Sequence, residues 1–201
     1  MKKLALALVA ATTFAGAASA DLTTGFYLGA GIGANSLTAP FAYNGVSGNL
    51  GRNRFEGSIY GGYGYVSGCT YVGGELGYTF TGGKASFTGN NAGVITTASI
   101  ERRNVINAAF IIGQKFSPST MIYARLGMNS TQYRTVLSVP GVATVNTKKR
   151  KVSFAPGVGL EGAVTKNVRV RLQYVYDVGN SLPNTGKVKS QATTLGVAYK
   201  F

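Results

Sequence analysis

Eight successive stretches of this chain alternate apolar and polar side chains with period two, the signature of β-strands. They fall at 25–34, 54–65, 70–80, 100–114, 121–133, 152–163, 168–177 and 191–201. The apolar face carries no charge. It reads Phe26, Leu28, Ala30, Ile32, Ala34 in the first stretch, Ile106, Ala108, Phe110, Ile112 in the fourth, and Leu195, Val197, Tyr199, Phe201 in the last. The opposite face holds the acids, arginines and glycines: Glu56 and Ser58, then Gly73, Glu75 and Gly77, then Arg125 and Asn129, then Glu161, then Arg169, Arg171 and Asp177. A soluble barrel turns its charges outward. A barrel in lipid inverts that order, because a Lys or Arg on its lipid face at the bilayer midplane costs about 2–4 kcal/mol.

The connections alternate in length. Those at 66–69, 115–120 and 164–167 are short, and those at 35–53, 81–99, 134–151 and 178–190 are long. Short periplasmic turns and long extracellular loops are the asymmetry of outer-membrane barrels. The mature chain has no apolar run of the roughly 20 residues that a membrane helix needs. A closed barrel is the other way to satisfy backbone hydrogen bonds in lipid. Only 13% of residues are charged, against about 25% in soluble domains. The expected fold is all-β: an eight-stranded antiparallel up-and-down transmembrane β-barrel with short periplasmic turns and long extracellular loops.

Residues 1–20 read as a cleaved signal peptide, with Lys2 and Lys3, the apolar run Leu4 to Ala11, and the small-residue site Ala18-Ser19-Ala20. The barrel domain is then 21–201, exported to the bacterial outer membrane. Asp21, not cysteine, follows the cleavage site, which argues against a lipoprotein. The single cysteine, Cys69, cannot form an internal disulfide. The chain has no histidine to activate the thiol, so Cys69 reads as a small turn residue. The formal charge is +14, and losing Lys2 and Lys3 leaves +12. In an exported chain this balance points to lipopolysaccharide phosphates or anionic surface polymers, and not to nucleic acid.

Two sets of residues are candidates for function. Inward Glu56, Glu75, Arg125, Glu161, Arg169 and Arg171 are expected to form a lumen charge network, with Glu161 and Arg171 as cross-strand neighbours. An eight-stranded barrel is just wide enough for its own side chains, so a structural network is preferred to an ion path. Inward Gly31, Gly33, Gly113 and Gly159 would make room for it. The second set, Arg52, Arg102, Arg103, Lys148, Lys149, Arg150 and Lys151, falls at or near the ends of long loops and forms a basic loop surface. Aromatic girdles are expected at Phe26, Tyr65, Tyr71, Phe116, Tyr199 and Phe201 below, and at Phe55, Tyr78, Phe80, Tyr133, Phe154 and Tyr176 above. Pro156 is expected to disturb its strand. The chain offers no serine with a plausible base and no paired exposed carboxylates, so no catalytic, cofactor or metal site is expected and the chain reads as a non-enzyme.

The stretches Tyr71-Val72-Gly73-Gly74-Glu75-Leu76-Gly77-Tyr78, Ser117-Pro118-Ser119-Thr120-Met121-Ile122-Tyr123-Ala124-Arg125-Leu126-Gly127, Gly157-Val158-Gly159-Leu160-Glu161, Val168-Arg169-Val170-Arg171-Leu172-Gln173-Tyr174 and Leu195-Gly196-Val197-Ala198-Tyr199-Lys200-Phe201 cover much of the barrel. In these the chain resembles the small outer-membrane β-barrels, the opacity-type surface antigens related to OmpX and to the OmpA transmembrane domain. The resemblance implies a C-terminal assembly signal at Tyr199 and Phe201, read by the barrel assembly machinery. It also implies that the peptidoglycan-binding domain of full OmpA-type proteins is absent. The function expected is that of a surface antigen that contacts lipopolysaccharide and outer-membrane lipid. Adhesion to host glycosaminoglycans or proteins, as in some family members, is compatible with it. The alternative is a small porin-like channel.

Overall fold

The computed structural model describes residues 21–43, 46–81, 84–91, 94–138, 145–182 and 185–201, with side chains described outside 39–52, 84–100, 135–147 and 180–186. The strands are β1 (Gly25–Tyr43), β2 (Val46–Ser67), β3 (Thr70–Thr81), β4 (Lys84–Asn91), β5 (Val94–Ser117), β6 (Thr120–Ser138), β7 (Val145–Ala163), β8 (Val168–Leu182) and β9 (Thr185–Lys200). They pair antiparallel in the order β3-β2-β1-β9-β8-β7-β6-β5-β4, and a β3–β5 ladder closes the ring. β3 pairs with Val105–Gln114 and β4 with Val94–Glu101, so the two lie in succession along β5. Nine segments therefore build an eight-stranded barrel.

The short turns fall where the sequence places them. In the β2–β3 turn Gly68 takes a φ of 57°, a left-handed conformation that glycine adopts without steric cost. The stretches expected to be long loops differ: most of their described residues are strand. β1 and β2 keep register out to Tyr43↔Val46, and β4 and β5 to Asn91↔Val94. A lipid-spanning strand needs about 9–11 residues, whereas β1, β2 and β5 have 19, 22 and 24. Pairing continues beyond the lipid, where neither face has to be apolar. The alternation that marks a strand in sequence fades there while the ladder does not.

Among the described residues, ladders close the ring only in the lower part of the wall. The β2–β3 ladder ends at Glu56↔Thr81, and the β7–β8 ladder ends at Gly157↔Val175. Among the described residues no ladder joins β2 to β4, or β7 to β8, above those points. The outer part is thus two four-stranded blades, β8-β9-β1-β2 and β4-β5-β6-β7. Pro156 stands immediately beyond the last β7–β8 pair, while its register with β6 runs on through Leu126↔Pro156. The disturbance expected at this proline is a terminated ladder on one side, as suits a residue with no N–H to donate.

The outward face is apolar and exposed, with Phe26, Leu28, Ile32, Leu76, Phe110, Leu126, Val158 and Leu195 among its members. Phe26, Tyr65, Phe116, Tyr199 and Phe201 ring the periplasmic end, and Phe55, Phe80 and Phe154 the outer end. Two expected rim residues are corrected. Tyr71 and Tyr133 are buried, at 0% and 3% exposure, and point into the barrel. Both lie in phase with inward neighbours, Gly73 and Glu75 for one and Asn129 and Thr131 for the other.

Candidate functional site

The lumen is filled by paired charge. Four arginines (Arg102, Arg125, Arg169, Arg171) and four carboxylates (Glu56, Glu75, Glu161, Asp177) are buried there. Isolated charges could not be held so far from water, and paired ones can.

The lower cluster centres on Arg171. It is the register partner of Glu161 across β7–β8. Its Nε donates to Glu161 Oε2 at 2.8 Å and its Nη2 lies 2.7 Å from the same oxygen. Its Nη1 donates to Glu75 Oε2 on β3, so one guanidinium ties opposite sides of the barrel. Three tyrosine rings surround it, with centroids 5.6 Å (Tyr27), 4.8 Å (Tyr60) and 5.3 Å (Tyr123) from Cζ. A guanidinium within about 6 Å of a ring centroid gains from the ring quadrupole. Tyr27 Oη also donates to Glu75 at 3.1 Å, and Tyr123 Oη to Gln173 at 3.1 Å. Arg169 Nη1 donates to Glu161 Oε1 at 3.1 Å. Arg125 Nη2 donates to Asn107 at 2.9 Å, and its Nε lies 4.0 Å from Glu75 Oε1.

Missing side chains make the room. A Cβ on Gly64 or Gly159 would overlap the ring of Tyr71 or Tyr123, and one on Gly127 would overlap the Arg125 guanidinium. Gly159 and Gly113 were expected in this role, and both lie against Tyr123. Gly31 and Gly33 lie instead against Ser58, Thr194 and backbone of β9.

The upper cluster contains a residue that sequence reasoning placed elsewhere. Arg102, assigned to the basic loop surface, is 5% exposed and faces the lumen. Its Nη2 lies 3.3 Å from Asp177 Oδ2, and its Nη1 donates to Ser190 at 2.9 Å. Ser190 donates to Asn35 Oδ1 at 3.2 Å, and Asn35 Nδ2 to Glu56 at 2.9 Å. The cause is a β-bulge. The β5–β6 register shifts between Arg103 and Val105, and Asn104 there has a φ of 27°. One extra residue exchanges the two faces, so Arg102 turns inward and Arg103 outward. The signal available in sequence was Asp177, an inward acid with no assigned partner.

A cavity of about 70 Å³ remains between the clusters, lined by Glu75, Asn107, Arg125, Gln173, Arg102 and Asp177 among others. At about 10–15 Å³ per water it holds a few molecules. Beneath the lower cluster the periplasmic mouth is closed by the N-terminal strap 21–24. Leu22 is 1% exposed and packs with Tyr71, Ile111, Met121, Tyr123 and Ala163. Leu22 N donates to Pro118 O at 3.0 Å, Arg169 Nη2 to Thr23 O at 2.6 Å and Val66 N to Thr24 Oγ1 at 2.9 Å. Lys200 Nζ reaches Thr23 Oγ1.

The basic run Lys148–Lys151 is also placed differently from expectation. It lies within β7, in unbroken register with β6, and not in a loop. Strand alternation divides it. Lys148 and Arg150 share the outward face of Val152 and Phe154, while Lys149 and Lys151 share the face of Ser153 and Ala155. Two register rows cross the outer wall: Arg103↔Gln132↔Arg150 and Glu101↔Arg134↔Lys148. Arg103 pairs with Glu101 at 2.9 Å. These rows stand one and two steps above exposed Val152, where the apolar band that includes Phe154 ends. The backbone of Arg52 lies in β2, opposite Leu37. Its side chain is outside the described residues. Tyr199 and Phe201 are exposed at the other end, their rings edge to face at 5.2 Å.

The model of the OmpA-like transmembrane domain family matches residues 21–201. Outer membrane protein A of Salmonella typhi is 28% identical over 208 residues, which take in 100% of this chain and 56% of that protein. The Shigella flexneri outer membrane protein A matches with the same identity and coverage. The chain thus spans about half the length of these relatives. Among solved structures, Neisserial surface protein A (NspA) superposes with a TM-score of 0.52 at 17% identity, over 88% of this chain and 97% of that one.

Proposed function

This chain belongs to the family of OmpA-like transmembrane domains and is an outer-membrane protein, and from that premise we propose that it is a non-enzymatic surface barrel whose outward cations hold lipopolysaccharide phosphates. The observation that carries this reading is the pair of basic rows, with Arg103 and Arg150 facing outward one step above the apolar band and Arg134 and Lys148 two steps above it. Cations at that height meet anionic headgroups while the wall beneath them meets acyl chains. The same charge suits sulfated host polymers, which makes adhesion compatible with this role. The filled lumen supports the structural reading over the porin-like alternative, because Arg171, its two glutamates and three tyrosines occupy the bore. Tyr199 and Phe201, exposed at the C-terminus, fit recognition by the assembly machinery.

The test is thermal unfolding of the folded barrel in micelles, with and without added lipopolysaccharide. We expect lipopolysaccharide to raise the midpoint of the native protein. It should raise that of an R103Q/K148Q/R150Q variant much less. Equal shifts in the two proteins would remove the basic rows from the account.

A further inference from the structure

Among the described residues, one of the two seams in the outer wall runs between β7 and β8. β7 keeps its register with β6 from Val145 to Gly162, but pairs with β8 only from Gly157 to Ala163. From Val145 to Pro156, one backbone edge of β7 has no strand partner among the described residues. Such an edge presents a row of N–H and C=O groups ready to pair with another chain. The edge across the seam is not equivalent. In β8 the register with β9 shifts between Asp177 and Asn180, and Gly179 takes a φ of 82°. Gly179 N is already bonded to Asp177 Oδ1 at 3.0 Å. A bulged edge whose groups bond locally pairs poorly. The β7 edge carries no such shift along its whole length.

This regular edge is also strongly basic. Lys148, Lys149, Arg150 and Lys151 follow one another along it, the first three exposed. None of the four has an acidic partner among the described residues. Their alternation puts positive charge on both faces of the strand. A second copy of this chain would lay like charge beside like, which destabilises cross-strand pairs. An added strand with acidic residues would find opposite charge on either face. Lysines on an edge guard it against self-pairing, and the same lysines select an anionic strand.

We propose that the outer edge of β7, from Val145 to Pro156, binds an extended acidic segment of a partner protein as an added β-strand. Backbone hydrogen bonds supply the binding and the four basic side chains supply the selectivity. This goes beyond the lipopolysaccharide reading, which needs only outward cations and no free backbone.

The test uses the full barrel, folded in micelles free of lipopolysaccharide. The probe is a fluorescent peptide of about ten residues, alternating Val or Thr with Glu, long enough to form one strand. A second peptide has the same sequence with alternate backbone nitrogens methylated, which keeps the charge and removes the ladder. A third replaces Glu with Lys. The protein variant is K148Q/K149Q/R150Q/K151Q, checked for a heat-modifiable folded barrel. We expect the acidic peptide to bind and to slow amide exchange between Lys148 and Ala155. In the variant its affinity should fall roughly tenfold or more, four charge pairs at several tenths of a kcal/mol each. The methylated and Lys peptides should not bind. Equal binding of the methylated peptide would overturn the proposal in favour of a charge-only polyanion surface. No binding of the acidic peptide, or binding without amide protection on β7, would overturn it as well. Because lipopolysaccharide is absent, neither failure bears on the basic rows, which the unfolding shift tests separately.

Discussion

Arg171 and Glu161 face each other directly across the β7–β8 ladder, and the same guanidinium crosses the bore to Glu75 on β3. One residue therefore holds two buried carboxylates on opposite walls. Replacing it with Met removes their shared partner while roughly keeping volume. We expect R171M to lose about 3–5 kcal/mol, the usual cost of breaking a buried pair by deleting one member. Urea unfolding in lipid vesicles, followed by the heat-modifiable gel shift, measures it. R171M combined with E75Q should recover much of that loss, because Glu161 keeps Arg169 at 3.1 Å while Glu75 is left with Arg125 only at 4.0 Å. A double variant no more stable than R171M would show that the tyrosine contacts, not the Glu75 carboxylate, set the cost.

Gly64 and Tyr71 make a second coupled pair. The three atoms nearest a Cβ built at Gly64 all belong to the Tyr71 side chain. We expect G64A to cost about 1–3 kcal/mol by overpacking, and much less in a Y71A background. A double-mutant cycle gives the coupling, and additive losses would mean that the two do not compete for space.

The strap at 21–24 should seal the periplasmic mouth. In a C69S background, a cysteine placed at buried Met121 should react slowly with small maleimides. Adding L22A should expose it and cost about 2 kcal/mol of stability. If labelling is unchanged by L22A, Leu22 is not what closes the mouth.

The bulge at Asn104 sets the phase of Arg102 against the residues that follow it. Deleting Asn104 would remove the one extra residue and leave Arg103 beside Gln132 and Val105 beside Thr131, so Arg102 would still face Asp177. We expect the deletion to recover heat-modifiable barrel, with the register on β6 unchanged. N104G should fold as well as the native protein or slightly better, because glycine takes a positive φ without steric cost. A deletion variant that fails to fold would show that the bulge itself is needed there, beyond the inward turn of Arg102.

The sequence was legible where the lipid constrains it. Between Phe26 and Ala34, or Ile106 and Ile112, one face must be apolar, so periodicity alone located the strands and the inward Glu161–Arg171 pair. Arg102 was misread because a bulge is a matter of one residue, and Asn104 does not announce it in a polar stretch. The run Lys148–Lys151 was taken for loop because its charges fall on both faces, which is what a strand outside the membrane is free to do. Tyr71 and Tyr133 were taken for rim residues because aromatics near strand ends usually are. Their phase, in step with Glu75 and Asn129, carried the better information.

The division of the outer wall has a mechanical consequence. Below Pro156 the strands form a hoop, and any tug on one of them is shared around the circumference. Above it, no ladder among the described residues ties one blade to the other, so a blade can bend about its root without stretching a ladder bond in the tube. A bacterium pulled at its surface through this molecule would bend the blades first, and the lumen packing around Arg171 would be the last part to feel the load.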